Sequence, residues 1–303
     1  MQGEHRWIYA VPRLPPLHRS RKFRHVGAYA SHTFATSTDR RMDLGFNRRV
    51  ALVCGSSRGL GYAIATRLAA EGCAVALNGR DPRQLADAVA RLGETHDRVT
   101  GVAADVTDPQ QIATMVQTVE HRLGPVDVLV CNAGGPPPAT FASAPDHAWR
   151  EAVELNLLST VHLCRAAVPG MRERGWGRVV CITSFAAREP VENLILSTTA
   201  RAGVLGFAKA LADEVAADGV TVNVVCPGWT HTERVDVLLD ALAERQGISR
   251  PEVVDAIVRD IPAGRMGQPR ELAAVVAFLA SDVAGYVTGI TLNVDGGLVR
   301  SIL

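Results

Sequence analysis

The 303-residue sequence predicts an α/β fold, a single doubly wound domain whose seven-stranded parallel sheet carries helices on both faces. Three observations lead to it. From residue 49 onward, apolar β-branched runs alternate with longer stretches of helical period. The runs are almost wholly apolar, the pattern of strands buried on both faces. The first run breaks into Gly55-Ser56-Ser57-Arg58-Gly59-Leu60-Gly61, which opens into an amphipathic stretch.

Taken in order, the strand runs fall near 49–54, 73–78, 98–103, 126–131, 177–183, 220–226 and 290–294. Helical patterns fill the gaps near 60–71, 82–92, 108–123, 146–170, 194–217 and 269–281. The rhythm breaks once, between Pro227 and Pro269, where 233–242 and 251–259 read as two short helices. An excursion of this kind after a strand's carboxyl end, near 228–268, is where a substrate lid would sit. Its apolar residues Val235, Val237, Leu238, Leu239, Val253, Val254, Ile257 and Val258 would either line a pocket or pack on the sheet.

Residues 1–41 carry eight basic groups against Glu4 and Asp39, with prolines at 12, 15 and 16 and no sustained period. Residues 1–42 are therefore set apart as a basic extension without a role in chemistry. A disordered arm and a transit peptide are two readings of the segment, and a natural start at Met42, with the tail as upstream coding sequence, is the favoured one. Residues 42–303 hold 24 basic and 29 acidic groups, a formal net charge of −5, which argues against nucleic acid as a partner. No apolar run approaches the ~18 residues of a membrane-spanning helix. The six cysteines (54, 73, 131, 164, 181, 226) show no C-x-x-C spacing and mostly sit in strand runs. They read as reduced, buried thiols of a cytoplasmic protein, with neither a disulfide framework nor a metal site.

The loop of Gly55, Ser57, Arg58, Gly59, Leu60 and Gly61 points to a dinucleotide. Its glycines allow a tight turn and close backbone approach, and the first-turn N–H groups favour a phosphate. The second strand ends in Asn78-Gly79-Arg80, where such a Rossmann-type fold meets the adenosine ribose. An acidic residue there would read the 2′-hydroxyl of NAD(H). Arg80 and Arg58 instead suit the 2′-phosphate of NADP(H). Asp105, with Val106 beside it, would face adenine, and Asn132-Ala133-Gly134 would let the backbone approach the cofactor.

Residues 45–303 resemble the short-chain dehydrogenase/reductase family, most closely its 3-oxoacyl-(acyl carrier protein) reductase branch and similar sugar or alcohol dehydrogenases. The markers are Gly55-x-x-x-Gly59-x-Gly61, Asn132-Ala133-Gly134, Asn156, Ser184, Gly203, Asn223 to Gly228, Thr232 and Val294-Asp295-Gly296-Gly297. Cys54 stands where the family usually has threonine. The resemblance implies that Asn132 supports the cofactor loop and that Pro227, Gly228, Thr230 and Thr232 flank the nicotinamide. It also implies a homodimer or homotetramer, paired through the helices near 146–170 and 194–217.

The family's catalytic set is an asparagine, a serine, a tyrosine and a lysine four residues beyond the tyrosine. Asn156 and Ser184 match, but Ser197 and Arg201 occupy the other two positions, a spacing that keeps them on one helix face. A phenol has a pKa of ~10, tunable by a nearby cation, whereas a serine alcohol is a far weaker acid. Loss of a positioned general acid costs about 10²–10⁴ in rate. Arg201 would still bind ribose hydroxyls and supply charge without shuttling a proton. Replacement donors weighed from sequence are water held by Ser197, Thr198 and Arg201, then His231, then Glu189 or Glu192. The expected function is NADP(H)-dependent hydride transfer on a carbonyl or alcohol, in a small molecule or an acyl thioester. A non-redox tailoring reaction and an inactive NADPH-binding partner are the alternatives.

Overall fold

The computed structural model describes residues 42–302. The basic N-terminal extension expected from sequence lies outside the described residues. Seven parallel strands form one sheet: β1 (Val50–Val53), β2 (Ala74–Gly79), β3 (Val99–Ala103), β4 (Val128–Cys131), β5 (Gly177–Ile182), β6 (Val220–Pro227) and β7 (Thr291–Val294). Their order is β3-β2-β1-β4-β5-β6-β7, so β1 pairs with both β2 and β4 and the winding reverses between β1 and β4. A ligand crevice opens at such a switch point, outside the strands' carboxyl ends.

Side-chain alternation explains why the strands had to be apolar on both faces. In β1, Val50 and Leu52 enter one core with residues such as Ile112, Leu163 and Val204, while Ala51 and Val53 enter the other with Ile64, Leu85 and Val276. Thus α3 (Pro109–Leu123), α5 (Ser159–Arg174) and α6 (Ile195–Val215) cover one face. On the opposite face lie α1 (Gly59–Ala70), α2 (Pro82–Gly93) and α9 (Pro269–Leu279). All six cysteines are free and buried, five of them in the first core. Among the described residues, no helix is long and apolar enough to cross a membrane.

One stretch departs from the expected helices. The region near 146–170 is not one helix: α4 (Asp146–Val153) leads into a π-helical turn, Glu154–Leu158, before α5. A π turn admits one extra residue, here re-aiming Asn156. The helix also runs past Pro169 and Gly170 to Arg174, ending where Gly175 takes a left-handed φ of 68°. Between β6 and α9 the two expected helices are present as α7 (Glu233–Gln246) and α8 (Arg250–Asp260). The α8 start is fixed by Glu252, which accepts from both Ser249 N (2.8 Å) and Ser249 Oγ (2.7 Å).

One polar side chain inside the apolar sheet controls the crevice. Asn78 of β2 is 1% exposed, and its Nδ2 donates to Val102 O (3.2 Å) and Ala104 O (3.1 Å). Its Oδ1 accepts from Gly55 N at 3.3 Å. Ser56 completes the tie, donating from its backbone N to Asn78 O (2.7 Å) and accepting from Asn78 N on its Oγ (3.0 Å). Replacing Asn78 by Ala leaves buried backbone groups without partners, and the expected loss is about 2–4 kcal/mol of stability. A fall in melting temperature of about 4–12 °C in a thermal unfolding scan is the corresponding signal; an unchanged transition would show that the tie carries no weight.

Candidate active site

A cavity of about 640 Å³ lies along the carboxyl edge of the sheet. Its floor is the glycine loop between β1 and α1. Gly55 and Gly59 have φ of 55° and 59°, a left-handed conformation that a side chain would strain. A Cβ on Gly61 would fall on the Gly55 carbonyl oxygen. Asn132, at the end of β4, holds this bend from across the switch point: its Nδ2 donates to Cys54 O and Gly55 O, both at 3.1 Å. Arg58, the residue before α1, provides no side-chain cap for the helix. The first-turn N–H groups therefore suit a phosphate, and the bend leaves no room for anything bulkier than glycine. On this geometry the cradle fits a dinucleotide's diphosphate.

Most residues expected at a cofactor site share this one cavity: Ser57, Arg58, Leu60, Arg80, Val106, Ala133, Gly134, Pro227, Gly228, Thr230 and Thr232 all line it. Asp105 does not. Its carboxylate turns back to accept from Thr107 N (3.0 Å) and Thr107 Oγ1 (2.8 Å), leaving Ala104 and Val106 as the wall there. Arg58 ion-pairs with Glu233 at the start of α7 at 2.8 Å. Arg80 is exposed and has no ion-pair partner among the described residues.

At the other end stand Ser184, Ser197 and Arg201. Ser184 follows β5 and caps a short 3₁₀ turn, its Oγ accepting from Ala186 N at 3.1 Å. Ser197 and Arg201 are one turn apart on α6, both 8% exposed. All five Arg201 N–H donors are engaged. Nε donates to Ser197 Oγ (3.2 Å), and Nη1 to Ile182 O (3.3 Å) and Thr183 O (2.9 Å). Nη2 donates to Ala133 O (3.4 Å) and Gly134 O (3.3 Å). Burial, followed by the nearby Arg234 guanidinium, lowers Arg201 to about 10, so it stays cationic near neutrality. The ribose contact expected from sequence needs a free donor, and the side chain has none left: a guanidinium reaches the strand ends that its fork geometry matches. Asn156 also faces inward, its Nδ2 donating to Gly134 O at 2.7 Å. Its Oδ1 is buried without a partner beside a void of about 10 Å³, the size of one water, which Thr183 and Arg201 also line.

Of the residues weighed from sequence for proton delivery, only Ser197 and Arg201 line the cavity. His231 is exposed and does not line the cavity, and neither do Thr198, Glu189 or Glu192. Among the described residues no tyrosine lines it: Tyr62 stacks under Arg91, and Tyr286 is fully exposed. The excursion divides its apolar residues, with Val235 and Leu238 on the cavity, Leu239 and Val253 buried, and Val237 exposed. Among the wall residues that the sequence did not single out, Phe185, Trp229, Glu233 and Arg234 matter most to the site. Their signal was adjacency, since each directly follows a marker or another wall residue.

A family model described as Enoyl-(Acyl carrier protein) reductase matches residues 55–299. The chain belongs to the short-chain dehydrogenase/reductase family. It is 38% identical to the 3-oxoacyl-[acyl-carrier-protein] reductase FabG of Haemophilus influenzae, over 84% of this chain and 99% of that one. It is 40% identical to an acetoacetyl-CoA reductase of Rhizobium meliloti, over 82% and 98% respectively. Among solved structures it superposes on an L-sorbose reductase of Gluconobacter frateurii, crystallised with NADPH and L-sorbose, with a TM-score of 0.82 and 34% identity. That match covers 86% of this chain and 100% of the other.

The Arg201 bonds make a stability prediction. Lysine has three donors on one atom and cannot span both strand ends. Arg201→Lys is expected to cost about 2–4 kcal/mol in urea unfolding, against about 0.5–1.5 kcal/mol for Ser197→Ala. Equal stability of Arg201→Lys and the parent would remove the clamp from the account.

Proposed function

We propose that this protein is an NADP(H)-dependent oxidoreductase that reduces a ketone, or oxidises the matching alcohol, with two serine hydroxyls in place of the family's phenol. One observation carries this reading. Ser184 Oγ and Ser197 Oγ each accept an N–H, from Ala186 and Arg201, and both hydroxyls line the cavity. Among the described residues neither has an acceptor for its own proton, so each is available to donate to a carbonyl oxygen bound between them.

The nicotinamide, when bound, supplies or takes the hydride. Ser184 and Ser197 hold the carbonyl oxygen and stabilise the negative charge that grows on it. Arg201 acts through Ser197: its Nε–H on Oγ polarises the hydroxyl, and its charge favours an oxyanion nearby. Serine does not release its proton at neutral pH, so the proton that completes the alcohol comes from solvent. The α7–α8 excursion serves as the lid, tied to the glycine loop through Arg58–Glu233 until a 2′-phosphate takes Arg58.

Arg80 and Arg58 support the preference for NADP(H), a 2′-phosphate displacing Glu233 from Arg58. Calorimetry is expected to show NADPH binding at least tenfold tighter than NADH, and Arg80→Ala narrowing that gap by weakening NADPH alone. With ketones and 3-oxoacyl thioesters, NADPH oxidation should be measurable, and Ser184→Ala should lower kcat/KM about 10²–10³-fold. NADPH binding with no turnover across the panel would abandon the reductase for the inactive cofactor-binding partner. That second reading is favoured only by the lack of a cavity-lining tyrosine among the described residues.

A further inference from the structure

We infer that the substrate carries a carboxylate, and that Arg234 on α7 is the residue that selects it; this rests on the ketone-reductase reading above and adds a substrate class to it. Six charged side chains line the cavity: Arg58, Arg80, Asp81, Arg201, Glu233 and Arg234. Asp81 is taken up capping α2, where its Oδ1 accepts from Arg83 N (2.8 Å) and Gln84 N (3.3 Å). Glu233 is taken up by Arg58. Among the described residues, no carboxylate ion-pairs with Arg80, Arg201 or Arg234. Arg80 follows the end of β2, far along the sheet order from β5, after which Ser184 stands.

Arg201 and Arg234 share the reacting end. The position that a Cβ on Gly135 would take is 3.5 Å from Arg234 Nη2 and 3.8 Å from Arg201 Nη2. Arg201 has no donor to spare, but Arg234 has. Its Nη2 donates to Pro136 O (3.0 Å) and Gly135 O (3.4 Å), while Nε and Nη1 have no acceptor among the described residues. Each of these nitrogens keeps an N–H on its own edge of the guanidinium, and either one can take a carboxylate oxygen in a charge-assisted bond. The cofactor's diphosphate is the competing occupant, and the direction of the side chains argues against it. Glu233 turns towards Arg58 of the glycine loop, whereas Arg234, one residue on, turns away to the Gly135–Pro136 segment beyond β4.

The rest of the wall suits the body of such a molecule. Phe185 and Trp229 pack with ring centroids 5.9 Å apart, tilted at 48°, beside Ser184 and Gly228. Leu155, Leu194 and Leu238 add apolar surface. Oxo acids with an apolar or aromatic part fit this combination: ketone at the serines, ring or chain against the aromatics, carboxylate at Arg234.

The test uses benzoylformate, 3-benzoylpropionate and 4-benzoylbutyrate, each with its methyl ester, titrated calorimetrically into the NADP⁺-loaded protein so that no reduction follows. At least one acid should bind tenfold or more tighter than its ester, with the gap shrinking as salt rises. Arg234→Gln should bring that acid down to its ester, and Arg234→Lys should restore part of the difference. Acids and esters binding alike, or a gap that survives Arg234→Gln, would overturn the inference. So would a tenfold loss of NADP⁺ affinity in Arg234→Gln with the acid preference intact, which would assign Arg234 to the cofactor. If NADP⁺ itself fails to bind, the reductase reading falls separately, and the same acid–ester comparison on cofactor-free protein still decides Arg234.

Discussion

Parallel strands end in carbonyl groups that no neighbouring strand completes, and at β4 and β5 those groups face the inside of the crevice. Arg201 supplies the donors. A buried guanidinium with no carboxylate beside it would be costly in isolation, yet here Ala133, Gly134, Ile182 and Thr183 present four oxygens to it and Ser197 a fifth. The same bonds that make the cation tolerable hold two strand ends in register and fix the orientation of Ser197. Bed, wall and hydroxyl donor therefore depend on one side chain, and a lysine there would have to give up part of that support.

A second set of ties holds the opposite end. Ser56, Asn78 and Asn132 connect the bend after β1 to the ends of β2, β3 and β4, so the phosphate cradle is built before any ligand arrives. The π-helical turn belongs with these constraints. By inserting one residue between α4 and α5 it brings Asn156 against Gly134, the residue that Arg201 also bonds. Gly134 is thus fixed from two helices, which keeps the segment leading to Gly135 and Pro136 rigid where Arg234 meets it. Preorganisation of this kind lets weak donors serve, because nothing must rearrange as charge develops.

The sheet was legible because every strand but the edge pair is buried on both faces, so apolar runs stood out against the helical period. The glycine loop was legible because only glycine meets its backbone demands. What failed to show were directions. Arg201 was placed on the right helix face, but a sequence does not reveal that four carbonyl oxygens lie within its reach and a ribose would have to compete with them. His231 lay beside two cavity residues, yet the chain alternates there and sends its ring outward. Asp105 kept its position while its carboxylate closed a local turn on Thr107, a competition that short acidic side chains often win. Arg234 was overlooked because the excursion was read for its apolar residues alone.

On the reading proposed above, serine and arginine in place of a phenol and a lysine change the kind of catalysis the site can offer. A tyrosine with a lowered pKa gives up its proton; a serine holds its own and only shares it. The charge formed on the carbonyl oxygen must then be stabilised by hydrogen bonds and field until solvent protonates it. Two cations near that oxygen supply the field, but they also repel one another, and the Arg234 guanidinium is one of the causes that lower Arg201. A substrate carboxylate at Arg234 relieves the repulsion in the ground state while leaving Arg201, dry and fully bonded, to act on the reacting oxygen through Ser197. On this proposal binding and catalysis are divided between two arginines, the exposed one on α7 recognising the substrate and the buried one serving the transition state.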